Sequence, residues 1–177
     1  INTSVDINDR PSAFRYPRGN GIGVELPSIN EKLEVGKGRV IKEGKKVAVL
    51  NFGARLNECL IASENLKKKG ISITLFDARF AKPLDESAIW QIATDHEIII
   101  SIEEGSIGGF GSHVSQYLFD KNLIDNNLKF RSMVLPDRFI DHDKPEEMYK
   151  YAGLDALSIE TKILDTLNSK VVIKKSN

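Results

Sequence analysis

The chain has 177 residues, 41% hydrophobic and 28% charged, the composition of an ordinary globular protein with room for a buried core. Its 25 basic and 25 acidic residues cancel, so no global field draws in nucleic acid or an acidic membrane. The single cysteine, Cys59, rules out a disulfide within the chain, and the longest apolar run, Ile98 to Ile102, is interrupted by Ser101 and far too short to span a bilayer. The opening Ile1-Asn2-Thr3-Ser4 lacks the basic-then-apolar pattern of a secretory leader, which points to a cytoplasmic protein.

From residue 1 to about residue 30 no periodicity persists, and Pro11, Pro17 and Pro27 with Gly19, Gly21 and Gly23 interrupt any helix or long strand. This stretch reads as a linker with one short extended piece at residues 13–16. It begins without Met and has no core of its own, so the expectation is a fragment whose preceding part is missing. Residues 37–41 and 46–51 are β-prone runs around the turn Glu43-Gly44-Lys45 and predict a hairpin whose first member is an edge strand. After Gly53, Leu56, Cys59, Leu60 and Leu66 have helical spacing, and Lys67-Lys68-Lys69 with Gly70 close a helix over residues 57–69.

The pattern then repeats. Residues 72–76 predict a strand, 85–95 a helix and 97–102 a β-branched strand buried on both faces. A helix over 112–121 follows, then a strand at 128–134, so strands and helices alternate with the spacing of right-handed crossover units in a mostly parallel sheet. Helices over 145–151 and 158–167 end the ordered part, and the basic residues 171–177 read as a frayed tail.

In an open parallel sheet, ligands bind beyond the carboxyl ends of the strands, where loops and helix N-termini converge. Residues 51–54, 77–83 and 103–111 occupy such places. Only the second carries cations, Arg79 and Lys82, and the forked guanidinium of Arg79 can take two phosphate oxygens without losing its charge near neutral pH. The other reading of Arg79 is a brace for the loop, paired with Asp77 or Asp85. Arg15 and Arg18 flank Tyr16-Pro17 in a segment too short to hold its own shape; they are either half of an anion site or a solvated pair.

The run from Glu103-Glu104-Gly105 to Gly108-Gly109-Phe110-Gly111 lies between a strand and a helix, as a dinucleotide loop does. Its two carboxylates oppose a pyrophosphate, so these glycines are assigned to tight turning and close helix packing. His96, His113 and His142 share no ligand spacing, and there is no second cysteine, which argues against a metal site. Ser112-His113 is no nucleophile and base, since adjacent helical residues point about 100° apart. His142 reads as solvated and Cys59 as a small buried apolar group.

Taken as whole words, Ala13-Phe14-Arg15-Tyr16-Pro17-Arg18-Gly19-Asn20, Asp77-Ala78-Arg79-Phe80-Ala81-Lys82-Pro83-Leu84-Asp85 and Glu103 through Val114 resemble consecutive landmarks of the 1-deoxy-D-xylulose-5-phosphate synthase family. Leu135-Pro136-Asp137-Arg138-Phe139-Ile140 and Tyr151-Ala152-Gly153-Leu154-Asp155-Ala156 are similar to that family's closing segment, so the likeness covers residues 9–167. The Glu-Glu-Gly and Gly-Gly-x-Gly stretch and the Pro-Leu-Asp loop are shared with transketolases and with the beta subunits of 2-oxo-acid dehydrogenases; the Arg-Tyr-Pro-Arg-Gly-Asn word favours the synthase.

The resemblance implies a three-layer α/β/α fold of the transketolase C-terminal type, mostly parallel with one antiparallel edge strand. It also implies a division into the tail of a preceding pyrimidine-binding domain with its linker (1–30), the transketolase C-terminal-like domain (31–170) and the tail (171–177). The enzyme implied is a homodimer that condenses pyruvate with glyceraldehyde 3-phosphate, losing carbon dioxide, with thiamine diphosphate and Mg²⁺ held by domains absent here. No Gly-Asp-Gly diphosphate motif occurs in this chain, so it is expected to bind neither cofactor and to be inactive alone. By position, Arg15 and Arg79 match the family's pair that clamps the substrate phosphate, while Arg18 matches a residue without a direct role. The rivals are the C-terminal domain of a transketolase or dehydrogenase beta subunit, and a non-catalytic dimerisation module.

Overall fold

A computed structural model describes residues 1–17, 21, 23, 25, 28 and 31–169; Arg18, Gly19, Asn20 and the tail 171–177 lie outside the described residues. Five strands, β1 (Arg39–Lys42), β2 (Lys46–Phe52), β3 (Thr74–Asp77), β4 (His96–Glu103) and β5 (Lys129–Met133), form one sheet in the order β1-β3-β2-β4-β5. The pairs β2–β3, β2–β4 and β4–β5 are parallel, and β1 lies antiparallel on β3 at one edge.

Alternation along the strands builds two cores. Val47, Val49, Ile98, Ile100 and Ile102 face α2 (Leu56–Lys68) and α6 (Ala156–Asn168), whose Cys59, Ala62, Leu66, Ile159 and Ile163 are buried against them. Ala48, Leu50, Phe76 and Ile99 face the opposite way, onto Ile89 and Ile92 of α3 (Glu86–Asp95) and Val114 and Leu118 of α4 (Phe110–Asp120). The result is the three-layer α/β/α arrangement, and the β-branched run of β4 is buried on both faces as its composition requires. Helix α5 (Pro145–Tyr151) joins β5 to α6 and ends, like α2, in a left-handed glycine. At Gly70 and Gly153 the Schellman pattern is complete: Ile71 N–H bonds to Leu66 C=O and Leu154 N–H to Tyr149 C=O.

Two expectations need correction. The hairpin does not form: β1 and β2 are separated by β3, and the turn between them crosses the start of that strand. There the Gly44 N–H donates to Thr74 Oγ1 and the Lys45 N–H to the Ser72 carbonyl, and a Cβ on Gly44 would stand 2.2 Å from the Ile73 carbonyl carbon. Every residue of β3 is buried, so its backbone needs a partner on each side, and β1 supplies the second. Near the N-terminus there is a one-turn helix, α1 (Asn2–Val5), rather than plain linker; it is tied to the body where the Leu33 N–H donates to Thr3 Oγ1 at 2.9 Å. Residues 13–16, read as a short extended piece of the linker, are exposed and lie outside the sheet.

Asp85 fastens the loop after β3 to the edge of the sheet. Its carboxylate caps α3 by accepting the Ala88 N–H at 3.2 Å, and it also accepts from Ser87 Oγ, the Gly38 N–H and Lys37 Nζ. Burial alone would raise its pKa, but these hydrogen bonds, from Ser87, Gly38, Ala88 and Lys37, together hold it below the usual carboxylate range. A depressed folded-state pKa adds stability that is fully present above the unfolded value and is lost as pH falls through the folded one. Asp85→Ala is therefore expected to cost about 1–2 kcal/mol near neutral pH, a gap that narrows on acidification below about pH 4 in urea titrations.

Candidate functional site at the carboxyl ends of the strands

The three loops at the carboxyl end of the sheet differ in how much polar capacity they leave free. After β2, Asn51 is fully buried and spends its amide on the Gly53 carbonyl at 2.9 Å, while its backbone C=O accepts the Ala78 N–H. Cys59 packs beside it without exposed surface, and burial pushes its thiol up to about 12, the state of an inert apolar group rather than a nucleophile.

After β4, the buried Glu103 carboxylate turns back onto the start of α4. Its two oxygens accept the Phe110 and Gly111 N–H groups at 3.0 and 2.9 Å, so a strand residue does the work of an N-cap. This places the start of α4 two residues before the predicted start at Ser112. The glycines make room for the carboxylate. A Cβ at Gly109 would stand 2.3 Å from Glu103 Oε2 and one at Gly105 2.6 Å from it, whereas one at Gly111 would meet Ser101 Oγ at 2.6 Å. A diphosphate has no place at a helix start already filled by a carboxylate, which supports the packing role read for these glycines. Ser112 Oγ accepts the Gly108 N–H, and among the described residues no hydrogen bond joins it to His113.

The loop after β3 is different. Arg79 sits in the left-handed region at φ 58°, a conformation that costs a non-glycine residue about 1–2 kcal/mol. Its side chain keeps a quarter of its surface exposed, and its Nε lies 3.9 Å from Asp77 Oδ2, too long for a hydrogen bond. The firm partner of Asp77 is Arg39 on β1, whose Nε donates to that same oxygen at 3.0 Å. Asp85, the other candidate brace, is engaged by its own cap and by Lys37. Among the described residues no hydrogen bond holds the Arg79 guanidinium.

Arg15 lies in the exposed stretch 11–17, beside the Phe14–Tyr16 ring contact, and no described contact joins it to Arg79. Lys82 is exposed and lines a cleft of about 350 Å³ with Glu86, His113, Tyr117 and Asp120. His96 is satisfied at the opposite end of the sheet, between the Ile92 carbonyl and Thr74 Oγ1. Among the described residues no group of three or more His, Cys, Asp or Glu could hold a metal ion, and no helix is long and apolar enough to cross a membrane.

Two features escaped the sequence reading. Arg39 is one. The other is a mostly buried trio drawn from three segments: Arg55 Nε is 2.7 Å from Glu104 Oε1, and the Arg55 guanidinium lies 3.8 Å over the Tyr149 ring. Burial, then the charge and hydrogen bonding of Glu104, push the Tyr149 hydroxyl up, partly opposed by Arg55. This trio ties the loops after β2 and β4 to α5. Strand register reveals the first, and the second needs three segments of the chain brought together.

Residues 36–159 match the family model described as transketolase, C-terminal domain, and the chain belongs to that family. Among solved structures, a split-gene transketolase described as an "inactive beta4 tetramer" superposes with a TM-score of 0.72 at 26% identity, over 84% of this chain and 48% of that one. Two transketolases from Pichia stipitis, an arginine-to-leucine variant and a complex with sedoheptulose 7-phosphate, superpose with TM-scores of 0.54 and 0.52 at 16% and 14% identity; these show the fold. Each covers 75% of this chain and 18% of theirs. The chain thus spans less than half the length of the solved relatives it matches.

Proposed function

We propose that this chain is the C-terminal part of a 1-deoxy-D-xylulose-5-phosphate synthase, a cytoplasmic homodimer that joins pyruvate to glyceraldehyde 3-phosphate with loss of carbon dioxide. Its part in that reaction is to hold the triose phosphate through Arg15 and Arg79. The observation that carries the reading is Arg79: a guanidinium in strained backbone at the carboxyl end of β3, with no hydrogen bond among the described residues, inside the Asp-x-Arg-Phe word of the synthases. A phosphate held there contributes no bond-making, but it fixes the aldehyde carbon at the reacting centre, and that orientation lowers the barrier.

Thiamine diphosphate and Mg²⁺ belong to other domains of the proposed enzyme. The residues here do not fit them: the glycine-rich start of α4 is filled by Glu103, and the described residues form no carboxylate cluster for the metal. The second reading, a transketolase proper, draws on the split-gene transketolase at 26% identity.

The test uses the complete reading frame, including the residues upstream of Ile1, supplied with thiamine diphosphate and Mg²⁺. Pyruvate with glyceraldehyde 3-phosphate should give 1-deoxy-D-xylulose 5-phosphate, while ketose phosphate donors and lipoamide acceptors should give no turnover. Ketol transfer between sugar phosphates without pyruvate consumption would reject the synthase in favour of the transketolase.

A further inference from the structure

The Asp77 carboxylate is shared by two guanidiniums, and the sharing is unequal. Arg39 and Asp77 are directly opposed across the antiparallel β1–β3 pair. Arg39 Nε donates to Asp77 Oδ2 at 3.0 Å, while Arg79 Nε stops at 3.9 Å from the same oxygen. The Asp77 side chain is mostly buried, so a carboxylate left without Arg39 has a strong incentive to recruit the next cation. That cation is Arg79. A closed Arg79–Asp77 pair would spend the forked donors that a phosphate needs.

Charge points the same way. Two guanidiniums against one carboxylate leave the trio one positive charge at the strand end, whereas Arg79 with Asp77 alone would be neutral. Asp85, the other carboxylate near this loop, is held by Lys37 and by the Gly38 and Ala88 amides and does not compete.

We propose that Arg39 is a positioning residue for substrate phosphate: by occupying Asp77 it keeps the Arg79 guanidinium free and the loop positively charged. This rests on the phosphate-binding role proposed for Arg79. It assigns a function to an edge-strand side chain, half of which is exposed, that otherwise reads as a surface ion pair of little energetic consequence.

The test is steady-state kinetics of the complete enzyme with Arg39→Gln, Arg39→Lys, Arg39→Gln/Asp77→Asn and Arg79→Ala. Arg39→Gln should raise KM for glyceraldehyde 3-phosphate about threefold to tenfold, with kcat and KM for pyruvate within about twofold. Arg39→Lys, which keeps a donor and a charge opposite Asp77, should recover most of the loss. The double variant should return KM toward wild type, because an amide no longer captures Arg79. An unchanged KM in Arg39→Gln, or a KM still raised in the double variant, overturns the proposal. If Arg79→Ala raises KM for the triose phosphate and Arg39→Gln does not, only this inference falls; if Arg79→Ala also leaves it unchanged, the phosphate reading falls with it.

Discussion

In the complete enzyme, Arg79→Ala is expected to lower kcat/KM for glyceraldehyde 3-phosphate by about 30- to 1000-fold, equivalent to about 2–4 kcal/mol, while KM for pyruvate stays within about twofold. The asymmetry follows from chemistry: pyruvate carries no phosphate, so a residue that only holds phosphate is invisible to it. The size follows from geometry, since a guanidinium offers two parallel donors to an anion and, among the described residues, no hydrogen bond competes for them. Backbone strain is a confounder, because alanine at φ 58° is as unwelcome as arginine. Arg79→Gly separates the two effects: it relieves the strain and must lose the same affinity. Arg79→Lys keeps the charge without the fork and should fall between. Equal losses for both substrates would mean that the loop supports the fold and binds nothing.

Glu103→Ala is expected to destabilise the domain by about 3–5 kcal/mol, the largest stability effect foreseen at the carboxyl end of the sheet. The carboxylate is buried and accepts from two amides at the start of α4, which Gly109 at the N-cap position cannot satisfy with a side chain. Removing it strands both N–H groups, withdraws a negative charge from the positive end of a helix dipole and leaves a void. Glu103→Gln keeps one acceptor oxygen and should cost roughly half as much. Gly109→Ala should also be destabilising, because its Cβ would stand 2.3 Å from the Glu103 oxygen. Urea unfolding of the three variants decides the matter; a loss below about 0.5 kcal/mol for Glu103→Ala would show that water caps α4 equally well.

Local rules made most of the secondary structure legible. The apolar spacing of Leu56, Cys59 and Leu66 and the terminal Gly70 bracket α2 to within a residue at each end, and the β-branched run of β4 declares a strand buried on both faces. What stayed hidden was non-local. Two β-prone runs beside a glycine turn look like a hairpin until a third strand, buried at every residue, comes between them. Helix α4 begins at Phe110 because its cap arrives from Glu103, a partner that residue order alone does not disclose. The same holds for the site. Topology and the family resemblance singled out the loop of Arg79 as the candidate, but Arg39 came into view only when strand register set it opposite Asp77, and the Arg55–Glu104–Tyr149 trio needed three segments brought together.

The most direct test is a crystal structure of the complete enzyme bound to glyceraldehyde 3-phosphate. Guanidinium nitrogens of both Arg15 and Arg79 should lie about 2.7–2.9 Å from phosphate oxygens, with Arg39 still seated on Asp77. A phosphate anchored by other side chains, with Arg79 folded back onto Asp77, would contradict the account.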